Sequence, residues 1–163
     1  MRSVTRLLAP YIALFAMTFP LAAQAPAPQS VIENLYARYG IGADGGGSGF
    51  NEKAAAQFFD ASLLKLYRTA FKAGVIDSDF FIQGQDFALK KPIEITGATV
   101  TGDKARISAT LTQDDTRDGK PIVLQNKFVF SLVRDGGVWR LDDALTEGRS
   151  FRAELTADIK EGN

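Results

Sequence analysis

"KPIEITGATVTGDKARISATLTQ", residues 91–113, is the stretch that decides the fold. Apolar residues fall on alternate positions around Ile93, Ile95 and Val100, then through Ala105, Ile107, Ala109 and Leu111. A period of two places one set of side chains on one face of an extended strand. Between the halves, "TGDK" (101–104) supplies the Gly and Asp that tight hairpin turns favour. The pattern continues downstream. "PIVLQNKFVFSLVRD" (121–135) carries Phe128, Phe130 and Leu132 on one face, and "GVWRLDDAL" (137–145) carries Trp139 and Leu141. "DDTRDGK" (114–120) and "DGG" (135–137) read as turn links. A meander of about four antiparallel strands is predicted, with one apolar face that needs a cover.

The cover lies upstream, where the period is helical. In "SVIENLYARYG" (30–40), Val31, Ile32, Leu35, Tyr36 and Tyr39 share one face. Ser30 and Glu33 have the spacing of a capping box, and Gly40 suits the stop. "FNEKAAAQFFDASLLKLYRTAFKAG" (50–74) predicts two helical pieces. Asn51 caps the first, through Phe59; Asp60 or Ser62 starts the second, which runs to Ala73 and stops at Gly74. Leu63, Leu64, Tyr67, Ala70 and Phe71 form its apolar stripe, while Lys65, Arg68 and Lys72 face water. The tail "RSFRAELTADIK" (149–160) spaces Phe151, Leu155 and Ile159 as a short helix or a docked extended arm. Helices first and strands after give an α+β class: N-terminal helices on a curved, cone-like antiparallel sheet.

The first 25 residues stand apart. Arg2 and Arg6 precede the uncharged apolar run "LLAPYIALFAMTFPLAA" (7–23) and the small-residue motif Ala23-Gln24-Ala25. This is the pattern of a secretory signal peptide, cleaved after Ala23 or Ala25. Export to the periplasm or the exterior is expected, with one domain over residues 26–163 and no stable membrane insertion after cleavage. The segment holds two of the 19 basic residues and none of the 19 acidic ones, so the remainder carries a net charge of about −2. That balance gives no basis for attracting nucleic acid.

The absences restrict the chemistry. The chain has no Cys and no His, and its two methionines, Met1 and Met17, lie in the leader. Disulfides, His- or Cys-based nucleophilic catalysis, and zinc, copper, haem or iron–sulfur ligation are therefore excluded for the chain beyond the leader. Only oxygen-ligand cations stay open. Gly40, Gly42 and Gly45 spell G-x-G-x-x-G, but a helix precedes them where a dinucleotide site needs a strand. The segment 40–49 is expected to be a flexible loop, and no cofactor is expected. In 114–120, Asp114, Thr116, Asp118 and Gly119 match the start of a calcium loop, but Gln125 stands where its glutamate belongs. A solvated hairpin loop is the expectation there.

The polar segment "DSDFFIQGQDF" (77–87) joins the helices to the sheet. Asp77, Asp79 and Asp86, with Gln83 and Gln85, allow three readings. They can cap the turn and satisfy backbone groups, as short polar side chains at turns usually do. They can supply oxygens to a ligand or a hard cation. Or Asp79 or Asp86, among Phe80, Phe81 and Phe87, can act as a general base with Tyr36 or Tyr67 donating to an oxyanion. Capping is the default. The candidate ligand-binding residues are Tyr36, Tyr39, Phe80, Gln85, Asp86 and Trp139, with no metal ligands among them. Asp142 and Asp143 read as solvent-facing or capping residues.

"LYARYG" (35–40), "DSDFFIQGQDF" (77–87) and "GGVWRLDDAL" (136–145), in this order, resemble a bacterial exported family, domain of unknown function 3828. That family lies in the cystatin-like cone superfamily typified by nuclear transport factor two. The resemblance spans about residues 30–146, and the glycine-rich 40–49 segment departs from it as a local insertion. It implies a cone-like sheet wrapped on helices, with a cavity inside. It implies no activity, because the family's is unassigned and the superfamily holds both ketosteroid isomerases and non-catalytic binding modules. Two functions are therefore carried forward. One is a non-catalytic module for a small apolar ligand or a protein partner. The other is a cofactor-free lyase or isomerase using an Asp–Tyr pair in the cone.

Overall fold

The structure is a computed structural model that describes residues 26–41, 50–83, 88–117 and 120–162. Residues 1–25, most of the glycine-rich segment and residues 84–87, which include Gln85, Asp86 and Phe87, lie outside the described residues. Among the described residues, three helices come first: α1 (Pro28–Ala37), α2 (Glu52–Phe58) and α3 (Ala61–Ala73). Six strands follow: β1 (Ala88–Leu89), β2 (Glu94–Thr101), β3 (Lys104–Arg117), β4 (Lys120–Asp135), β5 (Val138–Thr146) and β6 (Arg149–Ser150). Helix α4 (Phe151–Glu161) comes last. The fold is α+β, as the change of period predicts. The four long strands are those read from the sequence, and two-residue strands are added at either end.

All strand pairings are antiparallel, in the order β1-β3-β4-β5-β6, with β2 also on β3. The turns are made as expected where φ must be positive, at Gly102 (57°) and at Gly136 and Gly137 (57° and 83°). Register shifts at Ile95/Gly97 and Ser131/Leu132 are bulges, which bend and twist a sheet so that it can wrap its cover. The inner face reads Ala105, Ile107, Ala109 and Leu111 on β3, Phe128, Phe130 and Leu132 on β4, and Trp139 and Leu141 on β5, all buried. Helices α1 and α3 lay Ile32, Leu35, Tyr36, Leu63, Tyr67 and Ala70 against it.

Some local readings are corrected. Helix α1 begins at Pro28, whose fixed φ suits a first helical position, so Ser30 is inside the first turn and its hydroxyl donates to the Ala27 carbonyl oxygen at 2.7 Å instead of capping. Phe71 ends the α3 stripe outside the core, 51% exposed. Val100 is equally exposed although it pairs with the buried Ala105 and so shares the inner-face phase, because the far end of β2 lies at the sheet edge beyond the helical cover. Most of 114–120 is ladder and not loop: Asp114 pairs with Val123 and Thr116 with Pro121. The other caps stand as read. Asn51 Oδ1 accepts the Ala54 N–H at 2.9 Å, Asp60 Oδ1 accepts that of Leu63 at 2.7 Å, and Gly74 closes α3 at φ 69°.

The tail is a helix, and a polar knot sets its direction. Ser150 caps α4 by accepting the Ala153 N–H at 3.1 Å. Asp143 Oδ1 accepts the Arg152 N–H at 3.0 Å, and its Oδ2 accepts the Ser150 hydroxyl at 2.7 Å. The Arg152 guanidinium reaches Asp142 Oδ1 at 2.7 Å and Asp60 Oδ1 at 3.5 Å. The start of α4 is thus tied to β5 and to the start of α3. Its far end lands beside the far end of α3.

Candidate functional site

The interior enclosed by helices and sheet is filled with rings. Tyr36 sits 6.2 Å from both Phe128 and Phe130, which stack on each other at 5.5 Å. Phe151 meets Phe80, Phe81 and Phe59 at 4.9, 5.1 and 5.7 Å. Phe50 stacks on Phe59 at 5.0 Å and meets Phe81 at 4.9 Å. Edge-to-face and offset ring pairs add to the area they bury, so this cluster is the main cohesive element of the core.

Two tyrosines one turn apart on the first helical segment reach the polar junction. Tyr39 donates its hydroxyl to Asp79 Oδ2 at 2.7 Å, and Tyr36 donates to the Phe81 carbonyl oxygen at 2.8 Å. Asp79 Oδ1 accepts the Phe81 N–H of its own turn at 2.9 Å. The carboxyl also takes the Phe50 N–H. Asp79 thus faces both ways, toward its own turn amide and toward the core tyrosine. Burial raises its pKa, against the opposing effect of the bonds from Tyr39, Phe81 and Phe50. Burial, and then the Asp79 charge, pushes Tyr36 and Tyr39 well above the ordinary tyrosine range. Tyr67 is pushed up to about 12, by burial first and then by Asp79 and Glu52.

Where this interior meets solvent, two adjoining clefts open. One, of about 270 Å³, has Phe50, Tyr67, Phe71, Phe81 and Asp79 in its wall. The other, of about 500 Å³, runs between Gly74–Ser78 and α4 and is walled by Glu154, Asp158 and Glu161. They share Ile76, Asp77, Ser78, Phe80 and Phe151. A third cleft, of about 350 Å³, lies apart between α1 and the segment after β1, with Ile41, Leu89 and Ile93 in its wall.

The candidate residues therefore separate. Tyr36, Tyr39 and Asp79 come together in one hydrogen-bonded unit, with Tyr67 and Phe80 beside it. Trp139 does not join them. It is buried on β5 beneath the Arg134 guanidinium, 4.6 Å from its ring centroid. Asp77 is exposed on the rim, and Gln85 and Asp86 lie outside the described residues. Gln83 turns toward its own segment, its amide donating to the Phe80 carbonyl oxygen. Among the described residues, no three carboxylates converge as a metal site would require. Sequence reading missed Phe50, Phe71 and Phe151 as cleft walls. It also missed the α4 carboxylates, whose 154/158/161 spacing places them on one helix face once the tail is taken as a helix.

No family model matches the chain, and no curated protein matches it, so the resemblance to the exported family rests on the quoted motifs. Among solved structures, the intermembrane space region of the chloroplast protein ARC6 is similar at 18% identity. The match covers 72% of this chain and 94% of that one, with a TM-score of 0.43. A variant of Rv3472, a function-unknown protein from Mycobacterium tuberculosis, is similar at 14% identity over 82% of this chain and 87% of that one, with a TM-score of 0.36.

Proposed function

We propose that the chain is an exported, non-catalytic binding module of the cone-like exported family, and that it holds a small ligand at the rim of its core. The observation that carries this reading is the contrast between a ring-filled interior and two continuous clefts at its mouth. An enzyme of this architecture needs an acid or base presented to a cavity. Here Asp79 already accepts from Tyr39, Phe81 and Phe50, and the Tyr36 hydroxyl is engaged by a backbone carbonyl. Aromatic walls, here Phe50, Tyr67, Phe71, Phe80, Phe81 and Phe151, with a few polar groups are the usual composition of a binding pocket. Export by the leader would place the module in the periplasm or outside the cell.

The alternative, a lyase or isomerase using Asp79 with Tyr67, is favoured by one fact: Asp79 lines the smaller cleft beside Tyr67 and holds its proton more tightly than a free carboxyl. Titration of the isotopically labelled protein with a periplasmic small-molecule extract, followed by NMR, tests the main reading. Shifts confined to residues 74–81 and 151–162 are expected. Shifts restricted to the exposed strand β2, or none, would overturn it. Consumption of a component of the extract that stops in Asp79→Asn would favour the enzyme.

A further inference from the structure

The paired clefts carry an electrostatic asymmetry that narrows what they bind. Among the described residues, their walls hold five carboxylates, Asp77, Asp79, Glu154, Asp158 and Glu161, and no Lys or Arg. The chain as a whole is balanced at 19 acidic and 19 basic residues, so this is a local bias and not a property of the composition. Helix direction reinforces it. Gly74, where α3 ends, and Gly162, where α4 ends, both line the larger cleft. Each helix presents the negative end of its dipole there, which favours a positive charge. The two ends are brought close by Gly162, where an added Cβ would lie 2.6 Å from Val75 Cγ1.

The smaller cleft adds rings. Phe50, Tyr67, Phe71 and Phe81 pack on one another along its wall, with Phe71 half exposed and Asp79 beside them, and an ammonium group is attracted to such a ring surface. The same region already holds one internal cation in this manner. The Arg149 guanidinium lies 5.9 Å from the Phe80 ring while pairing with Glu154 at 2.9 Å. The carboxylates are strung along the cleft and do not converge on a point, which disfavours a single divalent ion among the described residues. Spread negative charge leading to an aromatic wall suits a ligand whose positive charge is itself spread along an apolar chain.

We infer that the joined clefts bind a linear aliphatic polyamine, with one ammonium against the Phe50–Tyr67–Phe71 wall beside Asp79 and the rest of the chain along the Asp158–Glu161 face of α4. This rests on the binding-module reading and names its ligand class. The methylene segments lie over Ile76, Phe80 and Phe151, which the two clefts share.

The experiment is a calorimetric and NMR titration of the purified protein with spermidine, choline and octanediol. Spermidine is expected to shift residues 74–81 and 151–162 and to weaken as salt rises, since the charges sit at a solvent-open site. Phe71→Ala and Glu161→Gln change exposed side chains and leave the fold intact. Each is expected to weaken spermidine about fivefold, the scale of a lost cation–π contact or of one charge at a partly screened distance. Octanediol binding the same residues as well as spermidine would overturn the cation assignment while leaving a binding site. Choline binding as tightly as spermidine, with Glu161→Gln silent, would overturn the extended polyamine. No shift with any of the three would also overturn the inference, and the extract titration then decides the binding reading separately.

Discussion

The filled interior and the open rim use the same residue types to opposite ends. Inside, the Asp79 carboxyl, the Tyr36 and Tyr39 hydroxyls and the Phe81 backbone satisfy one another, and the rings of Phe128, Phe130 and Phe151 leave the space occupied. At the rim, Phe71 is half exposed, and Asp77, Asp158 and Glu161 line a cleft with no Lys or Arg among its described residues. An aspartate among phenylalanines is thus not a site by composition alone. It becomes structure where its oxygens find donors. It becomes a candidate for ligand contact where the surrounding elements leave its face open.

The comparison breaks first at the core. Phe130 is fully buried and stacks on Phe128, so Phe130→Ala is expected to cost about 3–5 kcal/mol, the range for emptying a buried aromatic site. Denaturant unfolding measures it, and a loss below about 1 kcal/mol would show that the interior is not the close-packed region described. Next comes the polar knot. Tyr39→Phe removes the hydroxyl from Asp79, a bond to an ionisable group, and about 1.5–3 kcal/mol of stability should go with it at neutral pH. The loss should shrink in acid, where a protonated Asp79 depends less on that donor.

Asp79 itself gives a smaller, pH-shaped effect. Its folded pKa is raised, so between the unfolded and folded values the native state holds the extra proton and stability falls as pH rises through the folded value. Asp79→Asn should remove that fall: relative to the parent it gains stability from about pH 4, the ordinary unfolded carboxyl value, upward. Thermal melts across that range check the sign, and a parent that gains more than the variant on going to neutral pH would refute it. The smallest effect on folding belongs to the rim. Phe71→Ala should change stability by less than about 0.5 kcal/mol because the ring is 51% exposed. A rim variant that unfolds the protein as Phe130→Ala does would erase the distinction between the two regions.

Much of this architecture was legible. Alternation through Ala105–Leu111 and Phe128–Leu132 located the strands and their buried faces, because a period of two survives whatever the sheet packs on. Asn51, Asp60 and Gly74 marked helix ends through bonds that span three or four residues. Ser30 misled because Pro28 offered an earlier start, and both signals are local and compete. Phe71 and Val100 misled because periodicity gives a face but not how far the cover extends along it. Of the candidate site, Tyr36 and Asp79 were paired only as a candidate catalytic couple, and the Tyr39–Asp79 bond was not foreseen, since 40 residues separate Tyr39 from its carboxylate partner.

The amino-acid sequence by itself determined the order of elements, the buried faces and the exclusion of thiol, imidazole and soft-metal chemistry beyond residue 25. Those follow from which residues are present and from spacings within a few positions. Only the tertiary structure decided which aspartate is engaged and which is open. That outcome depends on where α1 and the turn after it lay Tyr36 and Tyr39, on the Asp143–Ser150–Arg152 knot that aims α4, and on two helix ends meeting at one cleft. Hydrogen bonds and dipoles act through space over a few ångströms, and nothing in the spacing along the chain records which groups will come within that reach.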